Sequence, residues 1–477
     1  MFERREAGQG QLELWVLAGQ LPEATPDAFY KRVNRTFEKI GFAKAVWAIC
    51  EAAYADPGLG GRPGIDPVVY LKMLTVGFFE DLPSERAIAS RCADSFSIRG
   101  YLGYKLTEAT PDHSSLSVIR DRLSLEQLAA IHGVLLAALH SHGLLKGRKL
   151  GIDSSVIEAN ASLRGLEHRN TQESYWEYVK RLAAEAGIDP RDTKAVRRFD
   201  RKREGRRTSN QDWQNPADPE AKVGRTKDGA TDMTYKPEHV SDLESGAIVW
   251  VEVRPGDAAD NDASLCERVL AAVGTLSEAL PQAPIEKLGG ELCADEGYFS
   301  IEQIAQLQEC GVRTVIADPH GGRRRLEKAS AGHRAALAYA GRSTRSASGK
   351  ALLRKRGEHL ERSFCHLLDH GGLRHATLRG CEKLTKRHLA GAMSYNLSLL
   401  LRTLFGAGTP KQTLAGARHL LAGALDRLWH SLERLWRPLP SLLRALMHLM
   451  QLLDANLPVP ARRSHGPGKL TGFSTGC

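Results

Sequence analysis

The chain has 477 residues, 42% hydrophobic and 26% charged, and no stretch approaches twenty uninterrupted apolar residues, which excludes a disulfide mini-protein, a mainly disordered chain and a membrane span. Lys and Arg number 66 against 56 Asp and Glu, a formal charge of +10, which favours an anionic partner; nucleic acid is the commonest. The eight cysteines form no C-x-x-C pair and read as reduced, mostly buried thiols, and the opening MFERREAGQGQLELW is charged where a signal peptide needs an apolar run, so a cytoplasmic, nucleoid-associated protein is expected.

From about Phe29 to Leu145 the apolar residues recur at three and four, the period of helices. A break around Gly58, Gly60, Gly61 and Pro63 is followed by Asp66 and Pro67, an N-cap and first-turn pair for a helix through Leu71 and Phe78. Ser84 opens a helix through Ile88, and Pro111 to Ser115 caps another that carries Arg120 and Arg122. Short helices joined by tight turns suit an all-α DNA-binding domain over residues 1–145, with Arg120 and Arg122 as its candidate contacts. A packing or dimerisation domain is the alternative.

At Arg148 the pattern changes. KLGIDSSVIEAN is a short β-like run with Asp153 inside it, and an acid in a core strand needs a reason. Residues 171–230 form a polar insertion, a helix plus a mobile loop, whose RDTKAVRRFDRKREGRR segment is charged on every side and is not expected to bury a face. Arg197, Arg198, Arg201 and Lys202 are its candidate phosphate contacts, a solvated charge run being the alternative. Trp176 and Trp213 either stack on a base or pack within the insertion. Two β-rich runs then flank Glu244, Ser245 and Gly246, a hairpin turn; Lys236 in the first run is a candidate phosphate contact, and His239 reads as a core polar group.

A helix through Leu265 and Val269 precedes KLGGELCADEGYFS, a second apolar run that ends in an acid, Asp295. Ser300 caps a further helix, and Val312 to Ala317 make one more strand. The order describes an α/β core with mixed strand directions over residues 146–405. After Pro319 the chain turns basic (Arg323 to Lys350) and enters helices from about Leu360; C-terminal helices over 406–460 carry a Leu and Trp stripe, and 461–477 is a disordered tail.

Asp153 and Asp295, each at the end of an apolar strand, repel one another if the fold joins them, unless a cation lies between. A divalent ion with oxygen ligands meets that need, and a third acid completes a two-metal site. Glu358, Glu361 and Glu382 are all available downstream.

GIDSSVIEANAS, YKPEHVSDLESGAI, CADEGYFS and RGEHLERSFCHLLDHGGLRHATLRG resemble, in order, the blocks of the DDE transposases of bacterial insertion sequences. GRPGIDPVVYLKMLTVGFFEDLPSERAIASRC and TPDHSSLSVIRDRL resemble the helical domain that precedes the core there, so the likeness covers roughly residues 25 to 405. It implies an α/β, RNase H-like mixed-sheet catalytic core with a helical N-terminal DNA-binding domain and a helical C-terminal extension. It also implies Asp153, Asp295 and Glu361 as catalytic metal ligands for two Mg2+ or Mn2+ ions, Asp153 bridging both. Double-stranded DNA, as inverted-repeat ends and target, is the implied partner, held by a homodimer, and the reaction frees a 3′-hydroxyl that attacks target DNA. Glu361 is preferred to Glu358 because it is read as opening a helix anchored by Phe364. The chain departs from many relatives with Gly357 and Leu368 where basic residues are common, so Arg354, Arg356 or Arg362 is left to meet the phosphate. A nuclease without strand transfer and an inactive DNA-binding repressor are the rival readings.

Overall fold

Helix caps written into the sequence divide the first part of the chain. The computed structural model describes residues 25–54, 64–105, 107–206, 209–226, 228–284, 287–320 and 330–414. The Gly58 to Pro63 break, Arg323 to Lys328, the C-terminal stripe and the tail lie outside the described residues. Helices α1 (Thr25–Lys39), α2 (Phe42–Cys50), α3 (Pro67–Phe79), α4 (Glu85–Asp94), α5 (Phe96–Leu102), α6 (His113–Arg122) and α7 (Leu125–Ser141) come first. Asp66 Oδ1 accepts from Val68 N at 2.7 Å with Pro67 following, Ser84 caps α4, Asp112 caps α6, and Ser124 and Gln127 cap α7 reciprocally. Helices of seven to seventeen residues are marginal alone, and these are held by a shared core that includes Phe29, Met73, Ile88, Ile98 and Leu116.

Then follow β1 (Lys149–Ser154), β2 (Ile157–Glu158), β3 (Glu167–His168), α8 (Tyr175–Glu185), α9 (Thr193–Lys202), β4 (Trp213–Gln214), β5 (Lys222–Arg225), β6 (Thr231–Asp242) and β7 (Ile248–Pro255). Next come α10 (Leu265–Ala279), β8 (Glu291–Ala294), α11 (Ile301–Glu309), β9 (Arg313–Ile316), α12 (Ala331–Arg345), α13 (Ala347–Phe364) and α14 (Cys381–Phe405). The main sheet runs β7-β6-β1-β8-β9. Strands β7, β6 and β1 are antiparallel neighbours, whereas β1, β8 and β9 are parallel, a mixed sheet as the order of elements in the sequence suggested. The short β2 and β5 lengthen it along the first half of β6. The hairpin turn falls where expected, with Gly246 at φ 78°, a conformation that favours glycine.

Alternation sends Leu150 and Ile152 to a core shared with α10, while Gly151 and Asp153 face α13. A methyl group on Gly151 would stand 2.6 Å from Leu243 Cδ2 and 3.0 Å from Leu360 Cδ1, so the absence of a side chain there lets α13 lie close on the strand. Helix α14 joins the parts: Leu389, Met393, Leu397 and Leu401 complete the N-terminal core, while Leu384 and Tyr395 pack with β6 and β7. Its Asn396 pairs with both backbone groups of Ile248, accepting from N at 2.9 Å and donating to O at 2.7 Å, and so takes the place of a further strand at the β7 edge. No single helix among the described residues is long and apolar enough to cross a membrane.

Two sequence expectations are corrected. The insertion does bury a face: Val196 and Phe199 of α9 pack against Val179 and Ala183 of α8, and the buried Asp200 accepts from the Tyr175 hydroxyl and Arg203. A few apolar residues at helical spacing suffice, because the two helices cover one another. The helices after Pro319 begin well before Leu360, since Ser330 and Ser346 cap α12 and α13 and the basic run between is made of good helix formers. Glu361 therefore sits in the last turn of α13 rather than opening a helix.

Candidate active site

Asp153 stands one residue before the end of β1, and β8 runs parallel beside it, so the chain leaving β8 brings Asp295 to the same end of the sheet. Asp295 stands one residue past the strand, where its Oδ1 accepts from Gly297 N at 2.9 Å and caps a short turn. Asp153 Oδ1 accepts from Ser154 N at 2.9 Å. The other oxygen of each carboxylate turns to one cation: Arg356 Nη2 lies 2.8 Å from Asp153 Oδ2 and 3.6 Å from Asp295 Oδ2. Asp153 is mostly buried, whereas Asp295 is 44% exposed, so the pair opens to solvent on the Asp295 side.

Burial raises the Asp153 carboxyl above the ordinary aspartate range, Arg356 pulls it back and Asp295 pushes it up again; the net direction is upward. By count, two carboxylates facing one guanidinium are one positive charge short. Two carboxylates that share a cation and still lack charge are a donor set that fits a hard divalent ion. Among the described residues no three His, Cys, Asp or Glu side chains converge closely enough to enclose a metal.

Glu361 is exposed and stands outside the triad of Asp153, Asp295 and Arg356; on a regular helix it projects roughly 140° round from Arg356. Glu358 is exposed as well and pairs with Arg362 at 2.6 Å. The end of α13 is anchored beside the site by His239, which faces Asp153 across the β1–β6 pair and stacks on Phe364 with ring centroids 4.2 Å apart. His239 is fully buried and burial holds its pKa well below the usual histidine range, as befits the core polar group that the sequence suggested.

A second set of charges braces the other face of the sheet, and sequence reading missed it. Glu238 has no exposed surface; its Oε1 accepts from Arg254 at 3.0 Å and from the Tyr298 hydroxyl at 2.8 Å, and Arg268 Nε lies 2.7 Å from Oε2. Arg254 and Arg268 also hold Asp262, at 3.0 and 2.6 Å. Asp260 takes Ser154 Oγ at 2.8 Å and Lys236 Nζ at 2.7 Å, which ties the residue after Asp153 to β6 and to the loop after β7. The missed signal was the density of acids in GDAADND beside a strand that carries Arg254.

The candidate DNA contacts fall into two groups. Arg120 is buried, paired with Glu85 and flanked by Asp121, as an arginine on the inner side of α6 needs a carboxylate partner there, so its guanidinium is engaged within the fold. Lys236 is likewise engaged, by Asp260. Arg122 is exposed and lies over the Tyr54 ring at 4.7 Å, and Arg362 is half-exposed beside Glu358. Arg197, Arg198, Arg201 and Lys202 all stand exposed on α9, with Arg197 5.9 Å from the ring of the exposed Trp176. Trp213 is buried against Tyr175, Tyr178 and His168.

None of the curated proteins matches the chain. Residues 20–122, a stretch that ends with α6, match the family model described as Transposase domain (DUF772).

Proposed function

We propose that this protein is the transposase of a bacterial insertion sequence, acting on double-stranded DNA in the cytoplasm by metal-dependent cleavage and strand transfer. The observation that carries the reading is the convergence of Asp153 and Asp295 on one cation at the end of a mixed sheet. The transposase-domain match over residues 20–122 supports it from the other end of the chain.

In this reading Asp153 and Asp295 hold Mg2+ or Mn2+, with Glu361 from the last turn of α13 as the third acid and two ions in the complete site. Bound divalent ions supply charge neutralisation at the phosphate and activate the attacking oxygen. Asp153 provides a fixed carboxylate, because Ser154 N orients one of its oxygens and the buried Glu238 network holds the strand end. Asp295 is oriented by Gly297 N on the open side, where a DNA strand has access. Arg122 and the exposed cations of α9 bind phosphates and steer the duplex without reading its sequence. Two copies of the chain hold the two ends together. Cleavage and joining are both in-line phosphoryl transfers, so the residues need only position and neutralise, with no covalent enzyme intermediate.

The test uses duplexes bearing the DNA that flanks the gene, with imperfect inverted repeats, in Mg2+. Strand breaks with 3′-hydroxyl ends followed by joined products support the full reading; breaks without joining indicate a nuclease, and binding without breaks a repressor. Glu361→Ala is expected to abolish cleavage while leaving DNA binding largely intact, and Glu358→Ala to retain cleavage. The reverse pattern would move the third acid one turn back.

A further inference from the structure

We propose that Arg356 is a built-in counter-ion that occupies the divalent-cation position between Asp153 and Asp295 and is displaced when the ion binds. The inference rests on the metal reading above and deepens it. Three observations carry it. Both Oδ2 atoms converge on a single nitrogen of Arg356, while both Oδ1 atoms are turned away to backbone N–H groups, so each carboxylate has one oxygen committed to the fold and one to the shared cation. The Arg356 side chain is only 13% exposed, so it stands within the site and is not a surface pair screened by water. Its Nε is buried with no hydrogen-bond partner among the described residues, so this resting place leaves a donor unsatisfied there.

A divalent ion and a guanidinium cannot both stand against the same two oxygens. Like charges repel strongly at such range in a partly dry site, and ion–oxygen distances of about 2.0–2.1 Å leave no space for the longer guanidinium contact. The side chain is long enough to swing away while α13 stays in place. Its planar set of donors then suits the oxygens of a phosphodiester beside the acid pair, which supplies the basic partner that Gly357 and Leu368 do not. No covalent bond changes in this exchange.

The test is Mn2+ binding to the full chain without DNA, followed by electron paramagnetic resonance, together with melting temperatures with and without Mn2+. Arg356→Gln is expected to bind Mn2+ about tenfold more tightly or better than wild type, to melt lower without the ion and to gain more on adding it. Arg356→Lys, which keeps the charge but not the bridging fork, is expected to fall between. Equal or weaker Mn2+ binding by folded Arg356→Gln, or by Arg356→Lys if the first variant does not fold, overturns the inference. Wild-type binding indifferent to Asp153→Asn removes the metal reading itself, and this inference with it.

Discussion

Glu238 balances Arg254 and Arg268 from a position with no exposed surface, with the Tyr298 hydroxyl as a further donor. Glu238→Ala leaves two buried guanidiniums short of a partner, and breaking such a pair costs about 3–5 kcal/mol, to be read as a fall in the denaturant midpoint. Buried histidines set a pH dependence. Burial drives His132 down to about 4 and His388 to about 3, with His239 well below the usual value. Each is neutral when folded and gains a proton when unfolded below about pH 6.5, so stability is complete above that pH and is lost as pH falls toward the folded values. His132 also accepts from Asn396 Nδ2 at 2.9 Å, which requires a neutral ring. His132→Gln is expected to flatten the fall in unfolding free energy between pH 6 and 4.5 by about 1.4 kcal/mol per unit; an unchanged slope would assign the loss to other groups. At this scale the acid pair was legible, since an acid ending an apolar strand has few structural reasons to be there. Arg356 was not singled out, because in a run of basic residues only the helical phase decides which one turns inward.

Elements bear out the sequence best where a cap announces them. Asp66 with Pro67, Ser84, Asp112 and Ser300 all open helices as read, and the Glu244 to Gly246 turn joins β6 to β7. Helix α13 begins well before the sequence reading placed it: Gly349 stands in the first turn after the Ser346 cap, and a side chain at Gly357 would meet nothing among the described residues. The close approach of α13 to β1 at Gly151 is testable: Gly151→Val should push the helix off the strand, destabilise the fold by roughly 1–3 kcal/mol and lower cleavage more than DNA binding. On α9 the exposed Arg197, Arg198, Arg201 and Lys202 leave Val196 and Phe199 to hold α8, so replacing the four cations by Ala should preserve the fold. Affinity for all DNA should drop alike, and the slope of log K against log salt should flatten by roughly 0.9 per phosphate contact removed. An unchanged slope would make the run a solvated face. Charge density was visible in the sequence, but its amphipathic partner face rests on so few apolar residues that the insertion looked unable to pack.

At the scale of the molecule, α14 binds the N-terminal helices to the mixed sheet, since its two sides belong to the two cores. A fragment ending near residue 145 would expose the surface that Leu389, Met393 and Leu397 cover, so it is expected to aggregate or melt far below the full chain, and end recognition is best measured on the intact protein. Sequence periodicity marked both halves but not this dependence, because a long buried helix late in the chain carries no sign of which core it completes. In the proposed reaction the carboxylates at the sheet end drive DNA cleavage. The decisive measurement is the Mg2+-dependent cleavage rate of an end-bearing duplex with wild type, Asp153→Ala and Asp295→Ala, at protein concentrations that saturate the DNA. The expected result is a loss of roughly 10²-fold or more in each variant with DNA affinity retained, whereas either variant cleaving at the wild-type rate would contradict the account.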